Sequence, residues 1–380
     1  MNAYPRPAGP GCAVAIAIPV KDEAERIGNC LRALAGRHGN PDHHPDHQVV
    51  LLLNNCTDAT AAVVAALRPS LPMTVHAIEC TLPRSQASAG FARRLAMRHA
   101  ARLLRPDGVL MTTDADGCAM PGWVAANLAA MRDGAEVVAG QAVIDPVEAT
   151  LIPQHLHDDD ALECAYADLL DEINALADPD PTDPWPRHSE HSGASIAVTL
   201  DAYLRAGGIP AMKMGEDRAF VAALRRIDAP IRHALGVRVV VSGRTVGRAA
   251  GGMADTMRRR IMRQDSMIDD RLEPAHMRAR RAGLRVRFAA ARRAGDCPPS
   301  LSLALDVAHA ELAAAMALPF VGAGWAMLEA CSPALLQQTV ARADLHRELR
   351  RARGIRNSLL SRSAAAGPGG TAALADAVPA

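Results

Sequence analysis

The sequence has few aromatic residues, 3% of the chain, so its core must be built from aliphatic side chains and alanine. It also lacks charge of one sign: a formal net charge of +1 removes the basic bias expected of an extended nucleic-acid surface. The basic run at 257–263 has no aromatic residues interleaved with it, as a single-strand binding surface would. The eight cysteines are widely spaced and show no zinc pattern, and we read them as reduced thiols of a cytoplasmic protein. Residues 1–11 contain no basic region followed by an apolar signal core. An uncharged stretch at 312–328 only reaches the lower length of a membrane span and is interrupted by Pro319, Gly322 and Gly324. It is expected to form a buried helical hairpin or a homodimer contact, with peripheral membrane association as the competing reading.

What the chain does have is alternation. The apolar run at 12–20 suits an interior parallel strand, and a helix is expected from Lys21 to Leu34, with Asp22 as its cap and Glu25 as the cap's partner. Strands at 48–53, 73–78 and up to Met111, and one at 136–144, are separated by helical patterns at 59–67, 87–104 and from Trp123 to Met131. Such order predicts an α/β fold in which side chains from several strand ends meet at one edge. The polar loop at 38–47 carries four histidines with no cysteine nearby and reads as surface rather than as a metal site.

Chemistry concentrates at the strand ends. Asp114 and Asp116 follow a strand at spacing i, i+2, which lets two carboxylates converge on one hard cation; an ordinary acidic turn before Gly117 is the plainer alternative. Asn54, Asn55 and Asp58 follow the second strand, where open α/β sheets bind their ligands; an ordinary loop and helix cap is the alternative. Further on, Glu216 and Asp217 open a helix, a position acids also occupy merely to complement its dipole. Arg244 lies in a glycine-rich loop after the strand at 237–241, suited to a diphosphate or an acceptor carboxylate, with a solvated loop as the plainer alternative.

Four stretches taken in order, Pro19 to Glu23, Asn54 to Asp58, Gly90 to Arg94 and Thr113 to Gly117, resemble the family 2 glycosyltransferases of GT-A fold. The second stretch is one residue shorter than the family pattern, and Gly90 lies closer to Ala92. The resemblance implies a Rossmann-related mixed sheet flanked by helices, with a C-terminal helical extension. It implies that Pro19 and Glu23 line base and ribose, and that Asn55 stands where the family often carries a uracil-recognising aspartate. It further implies Arg93 near the nucleotide, Asp114 near ribose or metal-bound water, and Asp116 on a divalent Mg²⁺ or Mn²⁺. Gly207-Gly208 followed by Glu216-Asp217 resembles the acceptor-side signature, with Asp217 as general base and Glu216 as its support.

The expected organisation is a catalytic domain at 12–255, a helical extension at 256–362 and a tail without fixed structure at 363–380. The expected activity is metal-dependent, inverting transfer from a nucleotide diphosphate sugar to a hydroxyl of a small-molecule or lipid-like acceptor, with no nucleic-acid partner. The family's Gln-x-x-Arg-Trp motif of processive synthases is missing. A sugar nucleotidyltransferase is the alternative enzyme, but the first loop has no glycine-rich, basic phosphate cradle. A non-catalytic nucleotide-sugar-binding protein is the third reading, opposed by the retained Asp114, Asp116 and Asp217.

Overall fold

The computed structural model describes residues 11–36, 47–244, 269 and 271–366. The histidines at 38–44, the loop beyond Arg244 with the basic run after it, and the tail at 367–380 lie outside the described residues. In chain order the elements are β1 (Cys12–Val20), α1 (Ile27–Ala35), β2 (His47–Asn54), α2 (Thr60–Leu67), β3 (Thr74–Cys80), α3 (Ala89–Ala101), β4 (Leu104–Thr112), β5 (Cys118–Ala119), α4 (Trp123–Arg132), β6 (Val137–Ile144), α5 (Pro146–Ala149), α6 (Gln154–Ala177), β7 (Ile196–Thr199), α7 (Leu200–Arg205), α8 (Glu216–Arg226) and β8 (Ile231–Val241). After them come α9 (Ala275–Ala294), α10 (Pro299–Leu305), α11 (His309–Ala317), α12 (Val321–Cys331) and α13 (Leu345–Ala366).

The chain divides into two compact units. Of the described residues, the first comprises 11–36, 47–152, 189–224 and 229–244, and the second 153–188, 225–228, 269 and 271–366. Segment 153–188, assigned to the catalytic domain from its sequence, thus clusters with the later helices.

In the first unit, eight strands form one mixed sheet in the order β3-β2-β1-β4-β7-β6-β8-β5. β3, β2, β1 and β4 are parallel, so the exits of β1, β2 and β4 share one edge. β7 then runs antiparallel between β4 and β6. Ile16, Ile18, Leu51 and Met111 are fully buried, which is why these strands read as continuous apolar runs instead of alternating ones.

Two local expectations are corrected. α1 starts only at Ile27, because Asp22 takes a left-handed backbone (φ 52°) and turns its carboxylate to the neighbouring loop, accepting from the Thr57 N–H at 2.6 Å. The acidic run at 158–160, which by its sequence alone reads as a helix entrance stabilised by negative charge, lies inside α6, which begins one turn earlier, after Pro153.

The second unit is helical. Its helix α6 packs against α13 and α9 around Tyr166, Leu170, Ile173, Ala279 and Leu349. Another cluster gathers Phe288, Leu305, Leu312, Trp325 and Leu328. The uncharged stretch is divided between α11 and α12, and among the described residues no single helix is long and apolar enough to cross a membrane.

Candidate functional site

The exits of β1, β2 and β4, the start of α3, the segment before β7, the start of α8 and the end of β8 enclose a cavity of 740 Å³. Lys21, Asn54, Asp114, Asp116, Asp217 and Arg244 are among the residues lining it.

The β4 exit is held open by backbone bonds: the Thr113 N–H reaches Ala17 O at 3.4 Å, and the Gly117 N–H closes a turn on Asp114 O at 3.1 Å. Two carboxylates in one low-dielectric place repel, and each here has an arginine. The Arg93 Nη2 group donates to Asp114 Oδ1 at 2.7 Å, and Arg244 Nη2 lies 3.1 Å from Asp116 Oδ2. Compensation at Asp116 is incomplete. Burial, then the Asp114 charge, pushes its carboxyl up to about 6 against the pull of Arg244, with Glu23 adding to the rise. Arg244 also forks onto Glu23, donating at 2.9 and 2.5 Å, which commits that buried carboxylate to a side-chain pair.

The geometry of Arg244 is fixed from behind. Glu148 accepts from the Ser242 hydroxyl at 2.9 Å and the Gly243 N–H at 2.6 Å, and pairs with Arg26 at 2.7 Å. Burial would lift the Glu148 carboxyl, but the bonds from Arg26, Ser242 and Gly243 bring it below the ordinary carboxylate range.

On the opposite side of the cavity Glu216 and Asp217 diverge. Successive helix residues point about 100° apart, so Glu216 turns inward, 6% exposed, and accepts from Arg93 Nε at 3.0 Å. Asp217 stays half-buried on the cavity wall, where its Oδ2 accepts the Gly193 N–H at 3.0 Å. Arg93 itself is buried and also donates to Thr112 Oγ1 at 2.9 Å and Gly193 O at 2.8 Å. Burial disfavours its charge, yet Asp114 and Glu216 more than restore it and raise its basicity.

Whether these residues suit a divalent metal is decided by their donors. Among the described residues no group of three or more His, Cys, Asp or Glu side chains is arranged to hold an ion. Asp114 and Asp116 offer hard oxygens, and Asp116 is short of positive charge. That set fits a hard cation whose remaining ligands come from a diphosphate and water.

Residues 15–186 match the family model for glycosyl transferase family 2. The matched segment belongs to that family. Among solved structures similar to this chain is mannosyltransferase PcManGT from Pyrobaculum calidifontis in complex with GDP-Man and Mn²⁺, at 18% identity over 98% of this chain and 81% of that one, TM-score 0.44. Another is S. aureus TarS 1-349 in complex with UDP-GlcNAc, at 14% identity over 92% of each chain, TM-score 0.44. No curated protein sequence matches the chain.

Pro19, Glu23, Arg93, Asp114, Asp116, Glu216, Asp217 and Arg244 all line the cavity, and the first five of them lie in the matched segment. Asn55 is not among the lining residues. Its φ is 51°, and its amide is spent on Leu82, donating to the carbonyl at 3.1 Å and accepting from the N–H at 3.0 Å. The neighbouring Asn54 lines the cavity instead, with a buried Oδ1 that has no hydrogen-bond partner among the described residues. Strand alternation was the available signal, since β2 continues through Asn54 and adjacent residues face opposite ways. The Arg93 guanidinium spends its donors on protein groups rather than standing open to a ligand. Gly193 is small for that reason, because a Cβ there would lie 2.5 Å from the guanidinium carbon.

Proposed function

We propose that the chain transfers a sugar from a nucleoside diphosphate donor to a hydroxyl acceptor, with inversion at the anomeric carbon and with Mg²⁺ or Mn²⁺ on the donor diphosphate. The observation that carries this reading is that Asp114 and Asp116 on one side, and Asp217 on another, line the same cavity. A diphosphate needs cationic partners, and a nucleophilic hydroxyl needs a base; the cavity wall supplies candidates for both.

In this reading Asp114 and Asp116 hold the metal, which when bound neutralises the diphosphate as it departs. Arg244, already at Asp116, adds a fixed positive charge near the leaving group. Asp217 removes the acceptor hydroxyl proton while that oxygen bonds to the anomeric carbon. The bond from that carbon to the diphosphate oxygen breaks with its electron pair on the leaving group. The Gly193 N–H restrains one oxygen of Asp217 and leaves lone pairs for the incoming hydroxyl. Asn54 lines the cavity and is the polar side chain that the β2 exit presents to the donor.

The acceptor is a small molecule or a lipid-like alcohol. A donor panel including GDP-mannose and UDP-GlcNAc, with nucleoside diphosphate release and anomeric NMR of the product, tests the activity. Retained configuration would overturn the direct-displacement mechanism.

A further inference from the structure

The family resemblance implies a place for Arg93 beside the nucleotide, but its contacts lead elsewhere. α3 carries three residues that grip the segment leading into α8. A Cβ at Gly90 would meet Met212 O at 2.4 Å and Glu216 Oε2 at 2.9 Å, so α3 approaches as closely as a glycine permits. Arg94 Nε donates to Ile209 O at 2.9 Å. Between them Arg93 donates to Glu216 at 3.0 Å and, with its other end, to Asp114 at 2.7 Å.

A second path joins Arg93 to Asp217. Its Nη1 donates to Gly193 O at 2.8 Å, while the N–H of the same glycine donates to Asp217 Oδ2 at 3.0 Å. One guanidinium therefore holds the helix neighbour of Asp217 and also the residue that orients its carboxylate. The planar fork is needed for this; an ammonium is a single charge centre and cannot span four acceptors in fixed directions.

We infer that Arg93 is a positioning residue that ties Asp114 on the donor side to Glu216 and Asp217 on the acceptor side, so that occupation of the diphosphate site sets the Asp217 carboxylate. This deepens the proposed function and rests on its assignment of Asp217 as the base. Were Arg93 only a stabiliser of the fold, any effect of a ligand on the α8 start would come from direct contact with the cavity wall and would survive Arg93→Lys. Arg93 instead shares Asp114 with whatever cation binds there, and any change in that bond is felt at Glu216 and Gly193.

The experiment uses the full chain as wild type, Arg93→Lys, Glu216→Gln and Asp217→Asn. UDP, GDP and pyrophosphate, each with Mn²⁺, are titrated by calorimetry, and hydrogen exchange is followed at 211–217. In wild type, bound nucleotide or pyrophosphate slows exchange there. Arg93 lines the cavity and pairs with Asp114, but lysine keeps a positive charge there, so Arg93→Lys should change ligand affinity by less than about 10-fold. Exchange at 211–217 should rise by about 10- to 100-fold with loss of a buried charged hydrogen bond, and its response to ligand should vanish. Glu216→Gln leaves Arg93 on Asp114 and should also abolish the response. In turnover, Arg93→Lys should lower kcat with donor KM nearly unchanged.

Ligand affinity that drops in Arg93→Lys while exchange at 211–217 stays as in wild type would overturn the inference, making Arg93 a nucleotide contact. Exchange in wild type that ignores all three ligands would overturn it as well. Normal turnover in Asp217→Asn strikes only at the base assignment, since the exchange response to ligand is read independently of it.

Discussion

The two acidic pairs of the cavity both present carboxylates but at different spacings, and the spacing decides what each pair becomes. Asp114 and Asp116 leave a strand at i, i+2, share the cavity and require an arginine each. Glu216 and Asp217 open a helix at i, i+1 and separate: one is buried on Arg93, and the other remains at the wall. A convergent pair collects negative charge and suits a cation. A divergent pair divides labour, with one carboxylate fixed as support and one left for chemistry.

The sharpest way to break this comparison is to neutralise one member of each pair. Asp217→Asn should slow transfer by roughly 100-fold or more while nucleotide binding is kept, the scale of a positioned base. Asp116→Ala should do the reverse at the binding step. Calorimetry with and without Mn²⁺ should show that the metal no longer strengthens nucleoside diphosphate binding, with the fold intact by circular dichroism. Equal loss of nucleotide affinity in both variants would erase the distinction between the pairs.

The next effect is on stability and separates Glu216 from Asp217. Glu216→Gln leaves a buried guanidinium with less countercharge, and breaking a buried ion pair costs about 3 kcal/mol. Asp217→Asn removes a half-exposed carboxylate whose hydrogen-bond partners among the described residues are backbone N–H groups, and should cost about 1 kcal/mol. Urea unfolding of the two variants tests the order. Gly193→Ala belongs with the larger change, since its Cβ would fall on the guanidinium of Arg93, which is boxed in by four acceptors and cannot swing away.

How far the sequence could be read follows the same physics. β1 was visible over its whole length because a strand buried on both faces is an uninterrupted apolar run, and the carboxylates at the β4 exit stood out because a charge ends that run abruptly. The pairings of Arg93 with Glu216 and of Arg244 with Glu23 were hidden, since the partners lie 123 and 221 residues apart and nothing local records them. Asp22 misled for a related reason. Its position before an apolar pattern mimics a helix cap, while its bonds go to Thr57 and Asp58 of another loop. In the helical unit, alanine-rich segments gave helices readily, and Pro319 marked the break between α11 and α12, but nothing local marked the end of α10 at Asp306, where φ is 54°.

The smallest expected effect concerns the loops that carry the β1 and β2 exits. The Thr57 N–H is the largest influence on Asp22 and lowers its carboxyl from the usual 3.8, outweighing burial, with Lys21 assisting. At Asp58 burial acts upward, but bonds from Thr60 and the Ala24 N–H outweigh it and bring the net shift down. A carboxylate whose folded value is lower than its unfolded one favours folding at pH above the unfolded value, and that contribution disappears as pH falls through the folded value. Both groups should therefore add to the loss of thermal stability below about pH 4, the unfolded carboxylate range, and contribute a constant amount above it. Asp22→Asn should lower Tm slightly at pH 7 and flatten the acid limb between about pH 4 and 2. Because these carboxylates are open to water, the change should be smaller than in Glu216→Gln, whose partner is buried. An acid limb as steep in Asp22→Asn as in wild type would mean that the crosslink between the two loops does not hold their exits together in the folded protein.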